Sequence, residues 1–134
     1  NNMKGKYIYR SKSLNRLRLL FGFIPAHNGS FVKRESYATN LYDRAFKSAG
    51  DFEWFLRMYK NSARYKATGL IVAQQRLGGK SSSGWKSYYL STSEQMLAFR
   101  ANKMFPCLFC LICRLPIKYL GRLYEKSKSK FFEK

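Results

Sequence analysis

Lys6-Tyr7-Ile8-Tyr9-Arg10 alternates and is rich in β-formers, which predicts a short strand. Leu14, Leu17 and Phe21 then recur at helical spacing, with Arg16 and Arg18 elsewhere on the cylinder. With Ser11 as N-cap and Gly22 as stop, this predicts a helix over 11–21. Phe23-Ile24 opens a second strand, broken by Pro25, and completes a β-α-β start. Residues 26–51 carry little pattern beyond Asn, Ser and Gly. Residues 51–59 read as a strand closed by the turn signal Asn61-Ser62, and 69–73 as another.

The segment 78–84, Gly-Gly-Lys-Ser-Ser-Ser-Gly, marks a break between sub-structures. Beyond it Trp85–Leu90 reads as a strand and Gln95–Lys103 as a helix of about two turns. Met104–Cys113 is a nearly continuous apolar run of ten residues. That is far below the roughly 20 needed to cross a bilayer, so a buried strand without membrane insertion is expected. Pro116 then suits the first turn of a helix in which Arg114, Lys118, Arg122, Lys126, Lys130 and Lys134 recur every fourth residue. Four residues overshoot a turn by about 40°, so this basic ridge spirals slowly.

The elements add up to an α+β fold of two small packed α/β sub-domains. Residues 1–73 form the N-terminal part with its β-α-β start. Residues 74–113 form a mostly antiparallel β part with a short helix, and 114–134 a basic helical extension. No internal repeat or low-complexity segment interrupts this plan. Asn1-Asn2 before Met3 is not an ordinary initiator, which points to processing, an unusual start codon or a beginning elsewhere; no secretory signal pattern is present.

Charge changes the picture most. Twenty-six Lys and Arg face seven Asp and Glu, a net charge of +19 over 134 residues. With 46% hydrophobic residues, 11 Phe and 10 Tyr, the chain is too apolar for a basic disordered tail. Self-repulsion of this size calls for a polyanionic partner: nucleic acid first, an anionic membrane surface as competitor. Residues 1–34 and 54–93 hold no acid, whereas Glu35, Asp43, Asp51 and Glu53 cluster in the middle. Two separated basic stretches fit an RNA touched from both ends of the fold, with salt-dependent affinity.

Catalytic and metal chemistry find little support. Cys107-x-x-Cys110-x-x-Cys113 resembles part of an iron–sulfur ligand run but lacks a fourth cysteine, and the single histidine, His27, is distant. Buried core cysteines are the better reading, and their odd number favours a reducing compartment. Gly78-Gly79-Lys80-Ser81-Ser82 resembles a phosphate loop without its upstream glycine. His27 has no Ser, Cys or Asp neighbour in sequence that suggests a triad. No enzyme and no cofactor is expected. Tyr88-Tyr89-Leu90 could stack on bases, although such residues are more often core.

Three pieces in order resemble small-subunit ribosomal protein eight, the universal uS-eight family. The first is Tyr7–Lys12 with Leu14, Leu17 and Leu20, followed by Gly22-Phe23-Ile24. The second is Phe55-Leu56-Arg57-Met58-Tyr59-Lys60-Asn61. The third is Gly84 followed after five residues by Leu90-Ser91-Thr92-Ser93, with Cys107–Ile112 similar to the closing strand. The likeness covers roughly residues 4–113, discontinuously. It departs at Gln95, where the family usually has glycine, and lacks the family's first helix and its Gly-Gly-Glu loop.

The resemblance implies a structural protein that binds the central domain of small-subunit rRNA beside neighbouring small-subunit ribosomal proteins. It places Ser91, Thr92 and Ser93 in an RNA-contacting turn, whose hydroxyls and amides pair with phosphates, ribose and base edges. Position and sign assign neutralising charge to Lys12, Arg16, Lys80, Lys86, Arg100 and Lys103. The divergence and the basic extension suggest a mitochondrial ribosome, and the missing helix suggests that another polypeptide fills its place. The rival is a basic accessory subunit of a mitochondrial inner-membrane complex, its amphipathic tail lying on anionic lipid. A nuclease or maturase fragment is disfavoured, because no carboxylate cluster suggests metal binding.

Overall fold

The computed structural model describes residues 6–10, 13–76, 85–117 and 120. Strands β1 (Lys6–Arg10) and β2 (Ile71–Arg76) pair as an antiparallel ribbon, Lys6 opposite Arg76 and Arg10 opposite Ile71, with an irregularity between Tyr9 and Arg10. All the other regular elements are helical: α1 (Arg16–Leu20), a 3-10 turn at His27–Gly29, α2 (Arg34–Thr39), α3 (Gly50–Lys60), α4 (Trp85–Ala101) and α5 (108–117). The α+β plan of two small packed sub-domains with a β-rich second part is therefore corrected: the core is built from helices. The 78–84 break and most of the basic tail lie outside the described residues.

Three helix ends share one local chemistry. At α1 the Asn15 side chain accepts the Arg18 N–H at 2.9 Å, so Asn15 rather than Ser11 opens the helix. Gly22 ends it at φ +69°, with Phe23 N–H donating to Arg18 O and Gly22 N–H to Leu19 O, both at 2.8 Å. This paired 6→1 and 5→2 pattern is a Schellman cap. It recurs after α3, where Ala63 donates to Met58 O and Ser62 to Tyr59 O. It recurs again after α4, where Met104 donates to Phe99 O and Lys103 to Arg100 O. Ser62 and Lys103 hold the left-handed position there at φ +57° and +53°, without glycine's freedom.

Residues 51–59, expected as a strand, form α3: Asp51-Phe52-Glu53-Trp54 alternates like a strand, but Phe52, Phe55, Leu56 and Tyr59 recur at helical spacing and the helix follows them. Five consecutive residues, Phe52 to Leu56, are buried. Leu19, Ala49, Phe52, Leu56, Ala98 and Phe99 make the core cluster, with the Phe52 and Phe99 rings 5.5 Å apart. Each large apolar side chain there contributes about 1.5–3 kcal/mol. The cluster takes residues from both sides of position 73.

The expected strand 85–90 and the short helix after it are one 17-residue helix, α4. Tertiary packing of Tyr88 overrides its β-preference, while Tyr89 is exposed. The Tyr88 hydroxyl donates to Leu111 O at 2.8 Å, and the Arg114 guanidinium lies over its ring at 5.3 Å, so α4 holds α5. Burial lowers the Arg114 pKa from its ordinary value. Gln95 is buried on the α1 side: its Oε1 sits 2.5 Å from where a Cβ on Gly22 would be.

The run 104–113, expected as a buried strand, is a connector over 104–107 followed by the first turns of α5. Leu111 and Arg114 are buried, while Leu108, Phe109, Ile112 and Ile117 are exposed, Phe109 at 74%. Both faces of this helix are apolar, so no alternation survives in the sequence. Among the described residues no helix is long and apolar enough to cross a membrane.

Candidate nucleic-acid interface

Two acids, Glu53 and Glu94, are turned inward. Glu53 is buried in α3, accepts both Nε and Nη2 of Arg57 at 2.9 and 3.1 Å, and accepts the Asn102 amide at 3.2 Å. Arg57 also donates to Leu41 O. Glu94, buried in α4, accepts the backbone N–H groups of Lys47, Ser48 and Ala49 at 3.2, 2.7 and 2.8 Å. It thereby seats the entry to α3, whose N-cap Ala49 has no side-chain cap of its own. Asp43 accepts the Ala45 N–H, and Asp51 lies 3.8 Å from His27. Glu53 and Glu94 hold the fold together, whereas Glu35 and Asp43 stay exposed.

Most of the described cations are left outside, Arg114 being buried. Among the described residues the only Lys or Arg in an ion pair is Arg57. Lys60 ends α3, and Arg64 and Lys66 follow it in one exposed basic run with Tyr65 half-buried between the last two. Leu14, Tyr59, Lys60, Ser62, Ala63, Arg64 and Tyr65 line a groove of about 450 Å³. No carboxylate lines it. Tyr59 is packed against the core, which anchors this wall, and the Schellman cap at Ser62 turns the chain so that Lys60 and Arg64 flank one opening. Two phenol rings for stacking, two cations and a hydroxyl are the groups that a single-stranded nucleic acid engages.

A second cleft, about 370 Å³, flanks the other end of α3 and has a different chemistry. His27, Ser30, Val32, Tyr37, Tyr42, Asp51, Trp54 and Phe55 line it. Tyr42 and Trp54 stack with centroids 5.9 Å apart, Tyr37 meets Tyr42 edge-on, and the Trp54 indole donates to Asn40 O at 2.6 Å. Burial, with the Asp51 carboxylate that accepts its hydroxyl, pushes the Tyr42 pKa up from 10.0 to about 12. No Lys or Arg lines this cleft.

The residues expected to bind RNA are dispersed. Ser91, Thr92 and Ser93 form no turn: they sit half-buried in the middle of α4. The Ser93 hydroxyl donates to Leu90 O one turn back at 2.9 Å, and the Thr92 hydroxyl is buried without a hydrogen-bond partner. Their backbone amides belong to the helix ladder and are not presented to a ligand. Arg16 is exposed at the first position of α1, Lys86 in the first turn of α4, Arg100 in its last turn, and Lys103 at its cap. Lys12 and Lys80 lie outside the described residues. None of the nine lines the basic groove.

The expected core cysteines are instead half-exposed and free at the start of α5. Among the described residues no group of His, Cys, Asp or Glu could hold a metal ion. Comparison with protein-family models, curated proteins and solved structures finds no match to this chain.

Proposed function

We propose that this chain is an RNA-binding structural protein that uses the groove between Tyr59, Lys60, Arg64 and Tyr65 to engage a single-stranded or irregular stretch of RNA. The observation that carries the reading is this acid-free basic and aromatic groove on a +19 chain. Phosphates neutralise Lys60 and Arg64 and release counterions, while the tyrosines take base faces. No catalytic role is assigned to it.

The finer setting, rRNA of a mitochondrial small ribosomal subunit beside its ribosomal proteins, rests on the sequence resemblance alone. In that setting Ser91–Ser93 do not act as a turn; Arg16, Lys86, Arg100 and Lys103 add diffuse charge. Sedimentation of a tagged chain from mitochondrial lysate tests it. Co-migration with small subunits that is lost at high salt supports the setting, and migration away from them at low salt contradicts it.

One observation favours the second reading, an accessory subunit at a membrane complex: the exposed apolar face of α5 at Leu108, Phe109 and Ile112. Release from membranes only by detergent, with no ribosomal co-migration, is the outcome that reading requires.

A further inference from the structure

We propose that Cys107 and Cys110 form a redox-active dithiol at the first turn of α5, in which Cys107 is the attacking sulfur and Cys110 closes an intramolecular disulfide. The inference is independent of RNA binding.

Geometry carries it. The helix begins at residue 108, so Cys107 is its N-cap and Cys110 its third residue. Cys107 Sγ accepts the Cys110 backbone N–H at 3.4 Å, which turns the first sulfur back over the helix entrance. A thiolate there is stabilised by the unsatisfied amides of the first turn. Both thiols are free and half-exposed, so a small reagent can reach them. The pair is also asymmetric. Hydrogen bonds from Cys110 lower the Cys107 pKa, whereas donation to Cys107 pushes Cys110 up to about 11.

Cys113 marks the contrast. It lies three residues beyond Cys110 inside α5. Side chains three apart within a helix hold their Cβ atoms about 5–6 Å apart, whereas a disulfide needs about 3.5–4.5 Å. Closing 110–113 would distort the helix. Cys107 lies outside the helical turns, so its backbone can adjust towards Cys110.

The oxidant is a low-molecular-weight disulfide of the glutathione type. The Cys107 thiolate attacks one of its sulfurs, a mixed disulfide forms, and one small thiolate leaves. Cys110 then gives up its proton and attacks the Cys107 sulfur, expelling the second small thiolate. The sum is one dithiol plus one small disulfide giving one intramolecular disulfide plus two small thiols. Two electrons pass from the cysteines to the small disulfide. Closure covalently ties the first turn of α5, the turn from which Leu111 enters the core side and Phe109 faces solvent.

The test is oxidation of the folded full chain with glutathione disulfide, quenching with an alkylating agent, and intact-mass analysis. Wild type and Cys113→Ser should lose two hydrogens and retain no glutathione. Cys110→Ser should stop at a single glutathione adduct on Cys107. Cys107→Ser should react roughly tenfold more slowly and not close. Circular dichroism of each variant confirms that the helices persist, and the same reaction in denaturant should lose the Cys107 preference. Equal reactivity of the three thiols, closure through Cys113, or an unchanged preference in denaturant overturns the proposal.

Discussion

The two ends of α3 open onto clefts of similar size and opposite character. The one beside its first turn is walled by Tyr37, Tyr42 and Trp54 and centred on Asp51 and His27. The one beyond its last turn is walled by Tyr59 and Tyr65 and flanked by Lys60 and Arg64. Both are aromatic, so aromatic content alone does not separate them. Charge does. In a chain of net +19, the cleft with a carboxylate sets it beside Tyr42 and His27, and the cleft without one is the one proposed to take phosphate. Where a basic protein spends its few acids tells as much about its binding face as where it puts its many bases.

The change with the largest expected effect removes the seat of α3, the helix that both clefts flank. Glu94→Ala deprives three backbone N–H groups of their acceptor, at a cost of about 3–5 kcal/mol. Denaturant unfolding should show that loss, and the glutamine variant, which keeps one acceptor oxygen, should lose less. Unchanged stability in the alanine variant would show that the α3 entrance is held by something else.

Next in size is the pair Lys60→Ala and Arg64→Ala. It should weaken binding of a single-stranded RNA about tenfold near 0.1 M salt while leaving the fold intact, since both side chains are exposed. Asp51→Asn in the opposite cleft should leave that affinity unchanged or slightly raise it. If both sets of changes weaken RNA binding alike, the distinction between the clefts fails.

The aromatic cleft can be read by pH. Tyr42 keeps its proton in the fold to about pH 12, against 10.0 when unfolded. A pKa raised by folding contributes stability that is whole below pH 10 and is lost as pH rises from 10 to about 12. Urea midpoints across that window should fall more steeply for wild type than for Tyr42→Phe.

The smallest expected change lies in the basic groove's own turn. Ser62→Gly relieves a left-handed residue at φ +57° but frees the unfolded chain, for a net gain of about 0.5–1 kcal/mol. A melting temperature raised slightly, with RNA affinity preserved, fits. A lower one would show that the Ser62 side chain supports the groove.

What was legible in the sequence was local. Gly22 as a helix stop is short-range backbone chemistry, and the structure has it as a Schellman cap. The helix start slipped from Ser11 to Asn15, because several residues there can cap and packing selects among them. Helix α3 resembles a strand through the Asp51-Phe52-Glu53-Trp54 alternation, although Phe52, Phe55, Leu56 and Tyr59 keep helical spacing, and α5 resembles one because its apolar run has no polar face. Glu94 could not be foreseen: its partners lie 45–47 residues away. The basic groove was half visible. The acid-free stretch 54–93 contains Lys60, Arg64 and Tyr65, but their convergence depends on the turn after α3. Ser91–Ser93 drew attention as a hydroxyl-rich string, and the helix that absorbs them leaves no turn to read RNA.

The most direct test of the central claim is the salt dependence of binding to a fluorescent single-stranded RNA, measured by anisotropy. Wild type is compared with Lys60→Ala/Arg64→Ala and with Ser91→Ala/Thr92→Ala/Ser93→Ala. The groove variant should flatten the slope of log K against log salt by about 1.4, two phosphate contacts at about 0.7 each, and the triple variant should keep the wild-type slope. A groove variant with the wild-type slope and affinity, or a triple variant that alone loses binding, would contradict the account.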